Sequence, residues 1–205
     1  MPYPRRTGRA AIVSAAIALM DEHGLEGVSL RRIATQLGIR QPGLYHHFTS
    51  KTELLDAVAD EILDRWHTDR APADSEQWDE FVARNARSLR RAMLSVRDGA
   101  LLIASAGSRS PKPEIAIAQI ALLENAGFSG TDALLALIAV SRYTIGSALE
   151  QQTARHGGDI VITTSRTDVA AAHLIDITRQ VVSLGPDHEF DTGLAALIHG
   201  LARTR

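Results

Sequence analysis

The sequence predicts an all-α protein, with a helix-turn-helix head over residues 1–50 and a helical-bundle body over 51–205. Three observations carry this. Apolar residues recur at spacings of three and four along most of the chain, as one face of a helix requires. No apolar–polar alternation is long enough to build a sheet, and no internal repeat is found. Within SLRRIATQLGIRQPGLYHHFTSK, residues 29–51, Ala34, Gly38 and Leu44 stand in the A-x3-G-x5-L spacing of two short helices that cross closely.

Each element has a local reason. The first helix is marked by Ile12, Ala16, Leu19 and Met20 and closed by Gly24. Ser29 is a good N-cap for the next, since its hydroxyl accepts a backbone N–H that the first turn leaves orphaned. Ala34 is small enough to admit the following helix, Gly38 tolerates the positive φ of the turn, and Leu44 pins that second helix from below. Pro42 suits its first turn, where no N–H is needed. From Lys51 to about Trp66, Leu54, Leu55, Val58, Ile62 and Leu63 make one amphipathic helix, long enough to link head to body. Trp78 to Leu94 follows, with Phe81, Val82, Leu89 and Leu94, and then a short segment from Arg97 to Ser105. Gly107, Pro111 and Pro113 break the pattern before helices at Pro113 to Ala126 and Thr131 to Gln152. Residues 153 to 166 read as a polar connection holding an isolated Val161–Thr163 run. Two helices, near Asp168 to Leu184 and Glu189 to Ala202, close the chain.

Composition excludes several classes. Apolar residues are 45% and charged residues 22% of the 205, ordinary for a globular chain and too apolar for disorder. With no Cys, neither disulfides nor thiolate metal sites contribute, and a reducing cytoplasm is the expected setting. The N-terminal MPYPRRTGRAA lacks the apolar core and cleavage site of a signal peptide. The most apolar stretch, Ala133 to Leu149, is interrupted by Ser141 and Arg142 and reads as a buried helix; no membrane is expected. The net charge of −2 conceals an asymmetry. Residues 1–51 hold seven basic side chains (Arg5, Arg6, Arg9, Arg31, Arg32, Arg40, Lys51) against three acidic ones (Asp21, Glu22, Glu26). A basic head on an acidic body suits a DNA reader, since phosphate attraction is needed only at the contact face. A solvated charge distribution fits equally well alone; its coincidence with the helix-turn-helix spacing favours DNA.

The head run GLEGVSLRRIATQLGIRQPGLYHHFTSKTELLDAV resembles the tetracycline-repressor family of bacterial transcription regulators almost throughout. The body resembles the same family in ILDRWHT, RNARSL, SVRDGA, LENAGFS and AVSRYTIGSALEQQ, and again in FDTGLAALIHGL. The resemblance implies a homodimer whose two heads bind a palindromic operator, and a body that dimerises and holds a small-molecule inducer. It implies a repressor, released from DNA when the inducer binds.

In the head, the resemblance assigns Arg31 to a guanine, whose two major-groove acceptors an Arg fork matches. Gln41 stands at the start of the recognition helix, and its amide suits adenine. Pro42 and Gly43 bring backbone close to a thymine methyl or a sugar. The family's pattern carries a side chain at the position of Gly43, so a different operator preference is expected. Tyr45, His47 and Lys51 are assigned to phosphates, which position without specifying. Arg31 also fits a plain surface role, and Tyr45 that of a capped core aromatic. His46 and His47 are not a metal pair, because adjacent helical residues point about 100° apart.

In the body, the resemblance places His67, Asn85, Leu89, Ile103, Gln119 and Glu150 on the ligand pocket, with His67 and Asn85 as polar anchors. It also shows a departure. At Ile103 the family's pattern has a His that coordinates drug-bound magnesium, and at Ala106 a Thr of the same site. An isoleucine cannot ligate a metal, and Glu150 alone holds a hard cation weakly. The expectation is therefore a largely apolar inducer, no metal and no cofactor. A closed core at Ile103 and Leu89, without ligand, is the competing reading.

Arg142 fits a dimer salt bridge, an anionic ligand group or the solvent edge. His156, His173, His188 and His199 show no metal-ligand spacing. An enzyme would have to rest on His67 with Glu150, the one candidate titratable pair. A helical interaction module that does not bind DNA leaves the basic head unexplained.

Overall fold

In a computed structural model, residues 8–106, 112–157 and 169–203 are described, and among them every regular element is helical. Arg5, Arg6, Gly107, Pro111, the Val161–Thr163 run, Asp168 and the side chain of His156 lie outside that description.

The head opens with α1, Arg9–His23, whose buried Ile12, Val13, Ala16, Ile17 and Met20 form one stripe. A single 3₁₀ turn, Leu25–Gly27, leads to α2, Leu30–Leu37. Ser29 caps α2 as expected, its Oγ accepting the Arg32 N–H at 3.2 Å. Gly38 ends α2 in the left-handed region, φ 65° and ψ 27°, where its own N–H closes onto the helix's last carbonyls. The second helix of the motif differs from an α-helix: Gln41–His46 is a 3₁₀ helix with Pro42 in its first turn. Its i→i+3 bonds, Gly43 N–H to Arg40 O and His47 N–H to Leu44 O, are both 2.9 Å. Proline and glycine in one short segment weaken the α alternative, and a six-residue piece is within 3₁₀ range. Ala34 and Leu44 are buried at the crossing, as the spacing requires.

The long helix α3, Lys51–Trp66, starts on Ser50, whose Oγ accepts the Glu53 N–H at 3.0 Å. Leu54, Val58, Ala59, Ile62 and Leu63 face the same apolar cluster as α1 and α2. That cluster continues without a break into Met93, Val96, Ala100, Leu102 and Ile103 of the body. The body comprises α4, Trp78–Leu94; α5, Gly99–Ser105; α6, Pro113–Asn125; α7, Gly130–Gly157; and α8, Val169–Leu201. A second cluster, around Trp78, Phe81, Phe128, Ala136, Val140 and Phe190, joins α4, α6, α7 and α8.

Two expectations are corrected. The short segment begins at Gly99 instead of Arg97, because Asp98 takes φ 57°, a value no α-helix accommodates. Helix α7 runs on to Gly157, so residues 153–157 are helical rather than a connection. Thr153 and Ala154 are exposed, and the buried Gln152 just before them accepts the Ala100 N–H at 2.9 Å and donates to the carbonyls of Met93 and Val96. The span Gly130–Ala154 also meets the length and composition of a membrane helix, although its apolar stretch reads from the sequence as a buried one. It packs between α4, α5, α6 and α8, as the centre of a bundle does.

The two expected closing helices appear as one helical run broken at Gly185, φ 82°, with Pro186 opening the second part. Arg90 of α4 fastens this kink, its guanidinium donating to Asp187 at 2.6 Å, to Gln151 at 2.6 Å and to the Pro186 carbonyl at 3.2 Å. Beyond the kink, Gly193 lets α8 approach α7 closely; a Cβ there would lie 2.2 Å from the Tyr143 hydroxyl. Leu197 and Ile198 are partly buried against their own chain's second cluster. Other apolar side chains are exposed, among them Leu134 and Leu135 on α7, and Leu174, Ile177, Val181, Val182 and Leu184 before the kink.

Candidate nucleic-acid interface and ligand cavity

On the head, Arg31, Pro42, Tyr45, His46 and Lys51 are exposed, while Gln41, Gly43 and His47 are partly so. Arg31 is the second residue of α2 and Lys51 the first of α3, so they flank the 3₁₀ recognition segment on its two sides. With three residues per turn, Gln41 and His47 share the side of buried Leu44, and Pro42 and Tyr45 share an outer one. Tyr45 is 51% exposed, which removes it from the core.

One supporting network was not expected from the sequence. Arg9 donates to the His47 carbonyl at 2.7 Å and to Glu53 Oε1 at 2.9 Å, and its guanidinium lies 4.1 Å from the Phe48 ring centre. Glu53 Oε2 accepts the Thr49 N–H and hydroxyl, both at 2.8 Å. These bonds from the Thr49 backbone, then Arg9 and the Thr49 hydroxyl, hold the Glu53 carboxyl down at about 2. Arg9 is thereby a brace for the recognition segment. The spacing Ser50-x-x-Glu53, a helix-start signature, was its legible signal.

In the body, α3, α4, α5, α6 and α7 enclose a cavity of about 780 Å³. His67, Asn85, Leu89, Ile103 and Gln119 all line it; Glu150 does not, and is exposed on α7. The titratable pair His67 and Glu150 is therefore not assembled within the chain. His67 ends α3, and its Nδ1 lies 3.0 Å from the Oγ of fully buried Ser88. Asn85 Nδ2 donates to the Asp69 carbonyl at 2.9 Å, and Gln119 Nε2 to that of Arg70 at 2.6 Å. The segment 67–70 is thus strapped to α4 and α6 by the same side chains that face the cavity. Burial, and then the charge of Arg70, push His67 down to about 4, so near neutral pH its ring is uncharged.

Sequence reasoning missed several lining residues: Asp60, Asp64, Arg70 and Lys112, with Ile115, Leu134, Ile138 and Ile145 as apolar wall. Arg142, left open among three roles, lines the cavity from α7.

The head is also tied to the body. Asp98 Oδ2 accepts the Leu25 N–H at 2.8 Å, Asp21 Oδ1 accepts the Arg97 N–H at 3.2 Å, and the Glu22 carbonyl accepts Arg97 Nη1 at 3.4 Å. Asp98 immediately precedes α5, which carries Ile103 to the cavity wall.

Residues 12–58 match the family model for bacterial regulatory proteins of the tetR family, and residues 71–205 that for the tetracyclin repressor-like C-terminal domain. Tetracycline repressor protein class C of Escherichia coli is 42% identical over 96% of this chain and 91% of its own. Among solved structures, TetR from Acinetobacter baumannii AYE superposes with a TM-score of 0.82 at 35% identity, covering 95% of this chain and 96% of that one. TetR class A, in complex with 5a,6-anhydrotetracycline and magnesium, gives 0.74 at 34% identity, over 95% and 97%. The basic helix-turn-helix head, the enclosed body cavity and these likenesses lead to one conclusion: the chain belongs to the tetracycline-repressor family, as a soluble, homodimeric, ligand-responsive DNA-binding transcription regulator and not an enzyme.

Proposed function

We propose that this regulator is a cytoplasmic repressor in which Arg31 and Gln41 specify the operator sequence, Pro42 and Gly43 make close backbone approach, and Tyr45, His47 and Lys51 grip phosphate. The inducer occupies the cavity beside His67, Asn85, Leu89, Ile103 and Gln119 and is largely apolar. The observation that carries this is the cavity itself, of drug-sized volume and with an alkyl wall at Ile103.

A relative binds its drug together with magnesium. The donor set here does not suit that ion: Ile103 and Ala106 offer only alkyl groups, and a hard cation needs six or more oxygen ligands. Glu150 lies outside the cavity of its own chain, so its place in this scheme is at the mouth of the partner's. Dimerisation is assigned to residues 131–152 of α7 and residues 189–202, packed against their symmetry mates as a four-helix bundle. Induction needs two head spacings of unequal ligand affinity. His67 sits where α3, which carries the head, meets the cavity.

The test uses the full-length dimer and a palindromic duplex selected from randomised DNA. Arg31→Ala is expected to lose about 1–3 kcal/mol and discrimination at one base pair, while Lys51→Ala weakens every sequence and lowers the salt slope by about one. Equal, sequence-independent losses from both would overturn the operator assignment. Tetracycline acting as a tight inducer only with magnesium, in a titration with and without chelator, would overturn the metal-free reading.

A further inference from the structure

The polar groups of the cavity wall are unevenly divided. Its carboxylates, Asp60 and Asp64, both stand on α3, whereas Lys112 stands at the start of α6 and Arg142 on α7. Arg70, between these sides, uses Nη1 on Asp64 at 3.0 Å and Nε on the His67 carbonyl at 2.9 Å. That contact consumes one of the two acids. Arg70 Nη2 is left buried with no hydrogen-bond acceptor, a state that native proteins rarely leave unexplained. Among the described residues, neither Lys112 nor Arg142 has an ion-pair partner, and both are exposed where the cavity opens. With Arg70 and Asp64 paired, two cations, Lys112 and Arg142, face one uncommitted carboxylate, Asp60, on the opposite helix. The α6–α7 side therefore carries an excess of donors and positive charge, above a floor of Leu89, Ile103, Ile138 and Ile145.

Taking this cavity as the inducer site proposed above, we infer that its ligand is an amphipathic monoanion, whose apolar body packs on the Leu89–Ile103 floor while one acidic group is held by Arg142 and Lys112. A neutral apolar molecule would leave those donors to water. A second negative charge would face Asp60 across the cavity, with Arg142 and Lys112 already committed to the first. His67 is neutral at physiological pH, so it supplies a hydrogen bond without adding to the charge that the acid meets. The long Arg and Lys stems also let the charged ends follow ligands of different length, keeping the acid near the solvent edge, where its desolvation is least.

The experiment uses two fluorescent probes with one aromatic body, anilinonaphthalene sulfonate and the uncharged phenyl-naphthylamine, titrated into the full-length dimer. Wild type is expected to bind the sulfonate about tenfold more tightly, the scale of one charge-assisted contact. Arg142→Gln with Lys112→Gln should erase that preference and leave the uncharged probe's affinity unchanged. Asp60→Asn should strengthen the sulfonate alone. Leu89→Trp, which fills the floor, should displace both probes; Ile103→Phe repeats the test with a smaller intrusion. Equal affinity for the two probes, or a preference that survives the double substitution, would overturn the anionic assignment while leaving the cavity as the inducer site. Binding of both probes undiminished by either floor substitution, or of neither probe to wild type, would overturn both readings together.

Discussion

His67 shows how a single side chain joins stability to the site. Its pKa of about 4 lies below the ordinary 6.5, because burial and then the Arg70 guanidinium oppose a charged ring. Above pH 6.5 the ring is neutral in folded and unfolded chains alike and adds no pH dependence. Between about 6.5 and 4 the unfolded chain takes up a proton that the folded chain refuses, so stability falls as pH drops through this window. The full difference corresponds to about 3 kcal/mol. Urea unfolding at pH 7 and pH 4 should therefore show wild type losing roughly 2–3 kcal/mol more than His67→Gln, which keeps a partner for Ser88 but cannot charge. Parallel losses in the two proteins would mean that His67 is solvated in the folded state. Glu53 acts in the opposite sense: its depressed carboxyl supports the fold above the usual carboxylate range, and that support disappears as pH falls toward 2.

At the scale of an element, the recognition segment is held by its ends rather than by its own propensity. Six residues including Pro42 and Gly43 do not sustain a helix in water, so the turn at Gly38, the buried Leu44 and the Arg9–Glu53 brace must fix it. Gly38 has φ 65° and open space around an added Cβ, so Gly38→Ala introduces backbone strain without a clash. The expected destabilisation is about 1–2 kcal/mol, with a larger proportional loss of operator affinity as the crossing of α2 and the recognition segment loosens. Thermal unfolding and a gel shift on the selected duplex measure the two effects. A Gly38→Ala variant as stable as wild type would show that the turn relaxes to negative φ.

Across the whole molecule, the cavity and the head meet through α5. Ile103 faces the ligand space, and Asp98, one residue before α5 begins, accepts the Leu25 N–H of the head. Asp98→Gly retains tolerance of the positive φ while deleting the acceptor. This substitution should lower the coupling between inducer and operator by about 1 kcal/mol, roughly fivefold, with little change in inducer affinity for the free protein. Operator titrations at zero and saturating inducer give that ratio directly, and an unchanged ratio would place the coupling elsewhere. The exposed Leu174, Ile177, Val181, Val182 and Leu184 ahead of the kink form an apolar surface that the sequence alone did not single out for the dimer.

The head was legible in the sequence because its determinants act over a few residues: the Ser29 cap, the small Ala34, the positive φ of Gly38 and the buried Leu44 each answer a local steric or hydrogen-bonding demand. Helices α3 and α4 were legible for a similar reason, since the three-and-four repeat of apolar residues records which face is covered. Residues 153–157 misled because a polar helix end and a polar loop share a composition. The cavity was legible only as far as the family resemblance reached, to His67, Asn85, Leu89, Ile103 and Gln119. Arg70, Lys112 and Arg142 come from separate elements, and nothing in their spacing brings them to one cavity. Their convergence, like the absence of Glu150 from its wall, is decided by how α3, α6 and α7 pack, because packing is a relation between surfaces distant in sequence, which no local pattern encodes.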